Sequence, residues 1–279
     1  MKFINTICVV CIMIFFNACV SSVTPTPLVY KKDYIITDKH TGEELDFNDF
    51  IESLQHYDVI LLGEKHDVMK HHQAQVLIIE ALAKKQPLDV VFEMFPSASQ
   101  TYIDAAKSKK ESIQKSKLKN ALNWESKWDY KMYRDIIELG FYADSIYLIG
   151  GNISSDEINI IYAGAEPLKG KYSTTNQAQE KIAQKIIQAH NIVADQLDGN
   201  RATIDKLVQI QQYKDRRMAD KLVHAKHQSV LIAGKHHTNK TMGVPLHIKD
   251  FKSSKKVAVV FLGDENESLD ECDYMWHFF

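Results

Sequence analysis

Apolar and polar positions alternate in blocks along this chain, and the blocks read as strands followed by helices. Four short apolar runs stand out: Asp58–Leu62, Leu88–Phe92, Ser145–Ile149 and Ser229–Ala233. A fifth covers Lys256–Leu262. Each is rich in β-branched residues without strict alternation, the pattern of strands buried on both faces of a parallel sheet. Helical periodicity lies between them, over His71–Lys84, Ser97–Lys107, Tyr130–Tyr142, Asn176–Leu197 and Arg201–Lys226. Strand–helix alternation predicts an α/β fold, a mostly parallel sheet flanked by helices and joined by right-handed crossovers. The Gln-, Lys- and Ala-rich stretch within 170–226 is read as a helical insertion, partly outside the sheet, before the last core strands. The Lys-rich stretch 107–119 is read as a solvated helical face.

Polar residues collect at the C-terminal ends of the apolar runs. Gly63-Glu64-Lys65-His66, Glu93, Gly150-Gly151-Asn152 and Gly234-Lys235-His236-His237 all follow a strand. Ligands of open parallel sheets sit beyond the carboxyl ends of the strands, so Glu64, His66, Glu93, Asn152, His236 and His237 are expected to share a crevice. His71, His72 and Gln75 lie one to three turns beyond His66 and are candidates to orient it, while Asp215 is placed to reach the crevice from the helix before the fourth strand. Glu64, His66, Glu93 and His237 form a carboxylate–imidazole set suited to a divalent metal or to acid–base chemistry. The bland alternative is that Glu93 and His66 are buried polar residues satisfied by their surroundings. Trp124, Trp128, Tyr130 and Tyr133 read as core packing first and as a wall for a flat ligand second. No GxGxxG or GxxxxGK[ST] pattern follows a strand, which argues against a dinucleotide or P-loop site.

The first thirty residues change the picture of where the protein resides. Lys2 precedes an apolar run from Ile7 to Phe16, too short for a bilayer span, which needs roughly 20 residues. It ends in Phe16-Asn17-Ala18-Cys19, which resembles a lipobox with Cys19 as the acylated residue. Residues 1–18 are therefore expected to be a lipoprotein signal peptide, 19–30 a lipidated tether, and 31–279 one α/β domain. The expected address is the cell envelope, lipid-anchored at the outer membrane. Cys8 and Cys11 leave with the signal, so Cys272 is the one thiol of the mature body, and neither an internal disulfide nor a Cys-based zinc site is possible. The chain has 45% hydrophobic and 25% charged residues and a net charge of −2, with no basic excess pointing to nucleic acid.

Taken in chain order, several motifs resemble one family. They are Leu61–His66 with His71-His72-Gln73, Phe92–Phe95 with Gln100, Trp124–Trp128, Asn152, Asp215–Ala219, and Ala233–His237 followed by Gly243–Pro245. Together they resemble the ChaN family of haem-binding lipoproteins, within the Tiki-like superfamily. The resemblance implies haem as ligand and an outer-membrane haem receptor as partner, and a homodimer sharing haem fits it. Iron takes an axial ligand, commonly His or Tyr, and the insertion offers Tyr172, His190 and Tyr213. The superfamily also implies an alternative function, a metal-dependent hydrolase. Its paired Gly-x-x-His motifs would be Gly63 to His66 and Gly234 to His237, with Glu64 or Glu93 activating a metal-bound water.

Overall fold

The structure, a computed structural model, describes residues 33–193, 196–263 and 270–279. The expected signal segment, Cys19 and the tether lie outside the described residues. Five strands match the five apolar runs: β3 (Val59–Glu64), β4 (Leu88–Pro96), β5 (Ile146–Asn152), β6 (Gln228–Gly234) and β7 (Val257–Leu262). Three more join them: β1 (Tyr34–Asp38), β2 (Glu44–Leu45) and β8 (Tyr274–Phe278). All eight form one sheet in the order β2-β1-β8-β7-β3-β6-β4-β5. From β8 to β5 every neighbouring pair is parallel, while β1 runs antiparallel to β8 and β2 antiparallel to β1. Strands β3, β4 and β6 are buried along their whole length, which explains why their sequences are apolar on both faces.

Two layers of helix cover the sheet. On one face pack α1 (Phe47–Leu54), α2 (Met69–Ala83), α3 (Gln100–Lys107), α4 (Lys115–Ala121) and α5 (Tyr130–Tyr142), around a core holding Phe50, Ile78, Phe92, Phe95 and Phe141. The other face carries α6 (Ser155–Gly164), α7 (Asn176–Ala189), α8 (Leu197–Val223), α9 (Lys235–Thr238) and α10 (Val244–Asp250). Met218, Ala219 and Leu222 of α8 pack there against Val59, Leu61, Val91 and Leu231. The C-terminal part of α8 is thus part of the sheet's own covering layer. Only its N-terminal part pairs with α7, around a small separate core of Ile182, Ile204, Val208 and Met242. Helix starts carry their expected signals: Asp46 caps α1, Asp129 caps α5, Ser154 forms a capping box with Glu157 on α6, and Thr175 caps α7.

Lys107 does not follow its neighbours into solvent. Its Nζ donates to the carbonyls of Gly140, Phe141, Ala143 and Ile146 at 2.5–3.3 Å, closing the end of α5 and the start of β5. Burial lowers its amine to about 8. The reading of 107–119 as a wholly solvated face is corrected at this position.

An exposed sheet edge invites pairing with other chains, and β5 is such an edge. Gln100 occupies it: its Nε2 donates to Leu148 O at 3.1 Å, and Gly150 N donates to its Oε1 at 2.9 Å. One side-chain amide thus satisfies both a donor and an acceptor of the edge strand. Gln100→Ala is expected to cost about 1–3 kcal/mol, two hydrogen bonds at their usual net value. Hydrogen exchange at the Gly150 amide should accelerate in that variant, and an unchanged rate would show that the edge is held by other means.

A candidate crevice and a second, exposed surface

The carboxyl ends of β3, β4 and β6 bring their polar residues together as their positions in sequence predict. Glu64 is the last residue of β3, Glu93 lies in the C-terminal half of β4, and Gly234 ends β6 just before α9, which carries His237. Bare backbone at two strand ends permits the approach. A Cβ at Gly63 would lie 2.3 Å from Thr238 Oγ1, and one at Gly234 would lie 3.0 Å from His66 Nε2.

Two linked ionic clusters fill the crevice floor. In the first, His66 Nδ1 lies 2.9 Å from Glu64 Oε1, the Tyr133 hydroxyl donates to that same oxygen at 2.6 Å, and Gln75 Nε2 donates to Oε2. His72 donates through Nε2 to His66 O at 3.1 Å, while its Nδ1 sits 3.3 Å from Glu64 Oε2 without hydrogen-bond geometry. In the second, His237 is clamped between two carboxylates. Its Nδ1 meets Asp215 Oδ1 at 2.5 Å and its Nε2 meets Glu93 Oε1 at 3.1 Å. Glu93 is itself fixed by the Gly234 amide, 2.9 Å from Oε2, and that oxygen lies 3.8 Å from His66 Nε2, joining the clusters.

Burial and charge compete at each of these groups. Burial alone would raise Glu64 and Glu93, but the facing histidines hold both carboxyls below their ordinary range. Burial would lower His237, yet Glu93 and Asp215 outweigh it and raise the imidazole to about 10. For Asp215 burial prevails over the pull of His237, and the carboxyl rises to about 6. His237 is accordingly a buried imidazolium between an ionised Glu93 and a carboxyl that is half satisfied, since Asp215 Oδ2 has no hydrogen-bond partner among the described residues.

Other expected site residues serve the scaffold. Asn152 donates from Nδ2 to Glu93 O at 2.8 Å and accepts from Ile153 N, spanning the irregularity between Phe92 and Pro96 where β4 shifts register against β5. The His71 ring accepts from Lys65 N at 2.9 Å and stacks on Phe278. His236 is exposed on the crevice wall, and His190, also exposed, faces the same cavity from the end of α7. That cavity measures about 580 Å³. Tyr172 and Tyr213 lie elsewhere. The Tyr213 hydroxyl is taken up by Glu166 O at 2.6 Å, and Tyr172 sits on the loop that Asp250 holds through its backbone. Among the described residues, no group of three or more His, Cys, Asp or Glu side chains is arranged to hold a metal ion.

Sequence reasoning missed Tyr133 as the partner of Glu64, and it singled out nothing on the helix that exposes Tyr162. Tyr162 stands on α6 at 43% exposure, two residues from Ile160 at 65%, with the Lys206 ammonium 4.5 Å from its ring centroid. Two large apolar side chains open to water on one short helix depart from the polar surface around them. Beside them runs a groove of about 700 Å³ between α7 and α8, with Ala183, Ile187, Ile204 and Val208 in its walls and Arg201 and Lys206 at its edge. The signal in the sequence was the run Ile158–Tyr162, too apolar for the exposed face of a surface helix.

The comparisons with known proteins agree with this architecture. Residues 50–248 match the family described as haem-binding uptake, Tiki superfamily, ChaN. A solved structure described as cofacial haem binding to ChaN of Campylobacter jejuni superposes with a TM-score of 0.86. It is 43% identical and covers 91% of this chain and 100% of that one. The chain belongs to the ChaN family. Two further folds are similar at 12% identity and a TM-score of 0.46. These are the erythromycin esterase EreC, covering 82% of this chain and 76% of that one, and the type III effector HopBA1, covering 82% and 91%. A search of curated proteins gives no match.

The buried imidazolium of this ChaN-family chain makes a testable demand on stability. A histidine whose folded value is raised from 6.5 to about 10 contributes stability that is full below pH 6.5. That contribution is lost as pH rises through about 10. The urea midpoint of the wild type should therefore fall across this alkaline window, and His237→Gln should flatten the fall while lowering stability at neutral pH. Parallel curves for the two proteins would show that His237 is not charged in the fold.

Proposed function

We propose that this chain binds haem, and that it does so on the exposed surface where α6 meets the α7–α8 pair. What carries the reading is the 43% identity to the Campylobacter jejuni ChaN, whose structure is described as one of cofacial haem binding. The site is argued from this chain's own surface. Tyr162 offers a phenol oxygen as axial ligand, a known mode of haem ligation. Ile160 and the apolar walls of the neighbouring groove suit the porphyrin, and Lys206 and Arg201 suit its propionates. Tyr213 is a poorer ligand because its hydroxyl already donates to Glu166 O.

A haem lying on an open surface leaves one face to water. A second copy of the chain, bringing its own haem, would cover it, and a two-fold homodimer is the economical arrangement. The lipobox-like Cys19 supports a lipid anchor at the outer membrane, where a haem receptor is the natural partner. The role is capture and handoff of haem in iron uptake. The hydrolase alternative is less well supported. His237, which would have to present a lone pair to a metal, is held through both ring nitrogens by Asp215 and Glu93.

The reading is tested by titrating the soluble domain with haemin and following the Soret band in parallel variants. Tyr162→Phe is expected to weaken binding by about tenfold or more, some 1.4 kcal/mol at least. Tyr172→Phe, Tyr213→Phe and His190→Ala should remain close to wild type. Loss confined to His190→Ala would move the iron into the crevice, and an unsaturable response in the wild type would refute haem binding.

A further inference from the structure

Toward the amino ends of the parallel strands, the loop between α6 and α7 meets the end of α10, and each brings one exposed aromatic side chain. Tyr172 is 41% exposed on the loop, and Phe251 is 36% exposed just after α10. The buried carboxylate of Asp250 locks the two segments together. Its Oδ1 accepts from Tyr172 N at 2.8 Å, and its Oδ2 accepts from the amide and the hydroxyl of Ser173. Arg216 pairs with Oδ2 at 3.1 Å, and its guanidinium carbon lies 5.3 Å from the Phe251 ring centroid. The aromatic pair is thus presented on a fixed polar frame, which leaves little ordering to be done on binding.

Cations surround the pair. Lys171 Nζ lies 5.2 Å from the Tyr172 ring centroid, and Lys169, Lys249 and Lys252 are exposed beside the two aromatics in the chain. Asp250 is committed to Arg216, and Asp220 to His224, whose ring stands edge-on to Phe251. Glu166 is exposed at the head of the loop. Lys169, Lys171, Arg216, Lys249 and Lys252 therefore outnumber the acids of this patch, on a chain whose net charge is −2. Lys252 holds its place against the preference of the backbone. It follows the last residue of α10 with φ 53°, the left-handed position that glycine commonly takes at helix ends because a β-carbon is strained there. A strained residue kept at a surface points to a use for its side chain.

We infer that this patch docks on an anionic lipid surface, with Tyr172 and Phe251 entering the headgroup layer and the lysines meeting phosphates. Aromatic rings flanked by lysines are the composition of surfaces that rest at a bilayer interface. Each lysine close to an anionic surface adds attraction, and salt screens it. Tyr172, Phe251, Lys171 and Lys252 line neither the crevice nor the α7–α8 groove, and an open face of this kind suits a planar partner. The inference depends neither on the haem reading nor on acylation of Cys19.

The test is co-sedimentation of the haem-free chain from Asp33 onward, which holds the whole sheet and both helix layers. The probes are vesicles of phosphatidylcholine alone and of phosphatidylcholine with phosphatidylglycerol at about two to one. Binding to the anionic vesicles is expected to be about tenfold tighter or more, and to fall as salt is raised. Lys171→Glu combined with Lys252→Glu should abolish it. Lys117→Glu combined with Lys119→Glu, the same change of charge on α4 across the sheet, should stay close to the wild type. Lys252→Gly separates docking from folding, since it should weaken binding while the thermal midpoint is unchanged or raised. Equal binding to the two vesicle types, or equal losses in the two double variants, would overturn the proposal. So would the absence of binding to either vesicle, which would turn the patch toward an acidic protein partner. Haemin titration of the Lys171→Glu, Lys252→Glu variant, expected to match the wild type, keeps this outcome separate from any failure of the haem reading.

Discussion

The buried triad Asp215–His237–Glu93 is the constraint around which the second face of the molecule is arranged. Three elements far apart in sequence meet at one imidazole: α8 through Asp215, α9 through His237 and β4 through Glu93. The Gly234 amide then fixes Glu93 to the end of β6. Charges removed from water are costly unless each is paired, and removing one partner of a buried pair costs about 3–5 kcal/mol. The triad therefore sets the register of α8 against the sheet more stringently than the apolar contacts of Met218 and Leu222 can, since those tolerate sliding. It also closes the His237 nitrogens to other ligands. The first cluster, Glu64 with His66, Tyr133 and Gln75, does the same for α2 and α5 on the other face.

This arrangement separates the parts of the molecule by chemistry. At the strand ends the buried polar groups are oriented largely toward one another, with His66 and His236 the more exposed side chains on the cavity. The exposed apolar surface lies instead on α6 and the α7–α8 groove, where no strand-end motif reaches. A large, flat, amphipathic ligand needs apolar area and peripheral cations more than it needs a rigid polar nest. In the proposed reading, Ile160 and Tyr162 of α6 supply the apolar area and Lys206 of α8 the cation.

Much of the fold was legible in the sequence because its central strands are buried on both faces. A strand such as Val59–Glu64 carries an unbroken apolar signature, and its polar end marks the side where the crevice forms. Strands β1, β2 and β8 were not legible. Their residues owe burial to neighbours distant in sequence, with Trp276 packed between Tyr34, Phe47 and Phe50, and the local pattern does not reveal this. The crevice could be assembled from strand-end motifs, but its internal pairing could not. That Asn152 and His71 serve backbone groups while Gln75 and Tyr133 hold Glu64 depends on side-chain directions across different elements. The sequence reading assigned no helix to 155–164, and only the structure shows that Ile160 and Tyr162 of α6 face water.

The central claim is that haem and the ionic crevice occupy different sides of α7. Methyl-resolved NMR of the protein loaded with gallium protoporphyrin, a diamagnetic haem analogue, tests it most directly through the short-range ring-current shifts of the porphyrin. The account predicts a large shift at the methyls of Ile160, with the crevice methyl of Ala189 nearly unmoved. Large shifts at Ala189 with Ile160 unmoved would contradict it and place the porphyrin over His66.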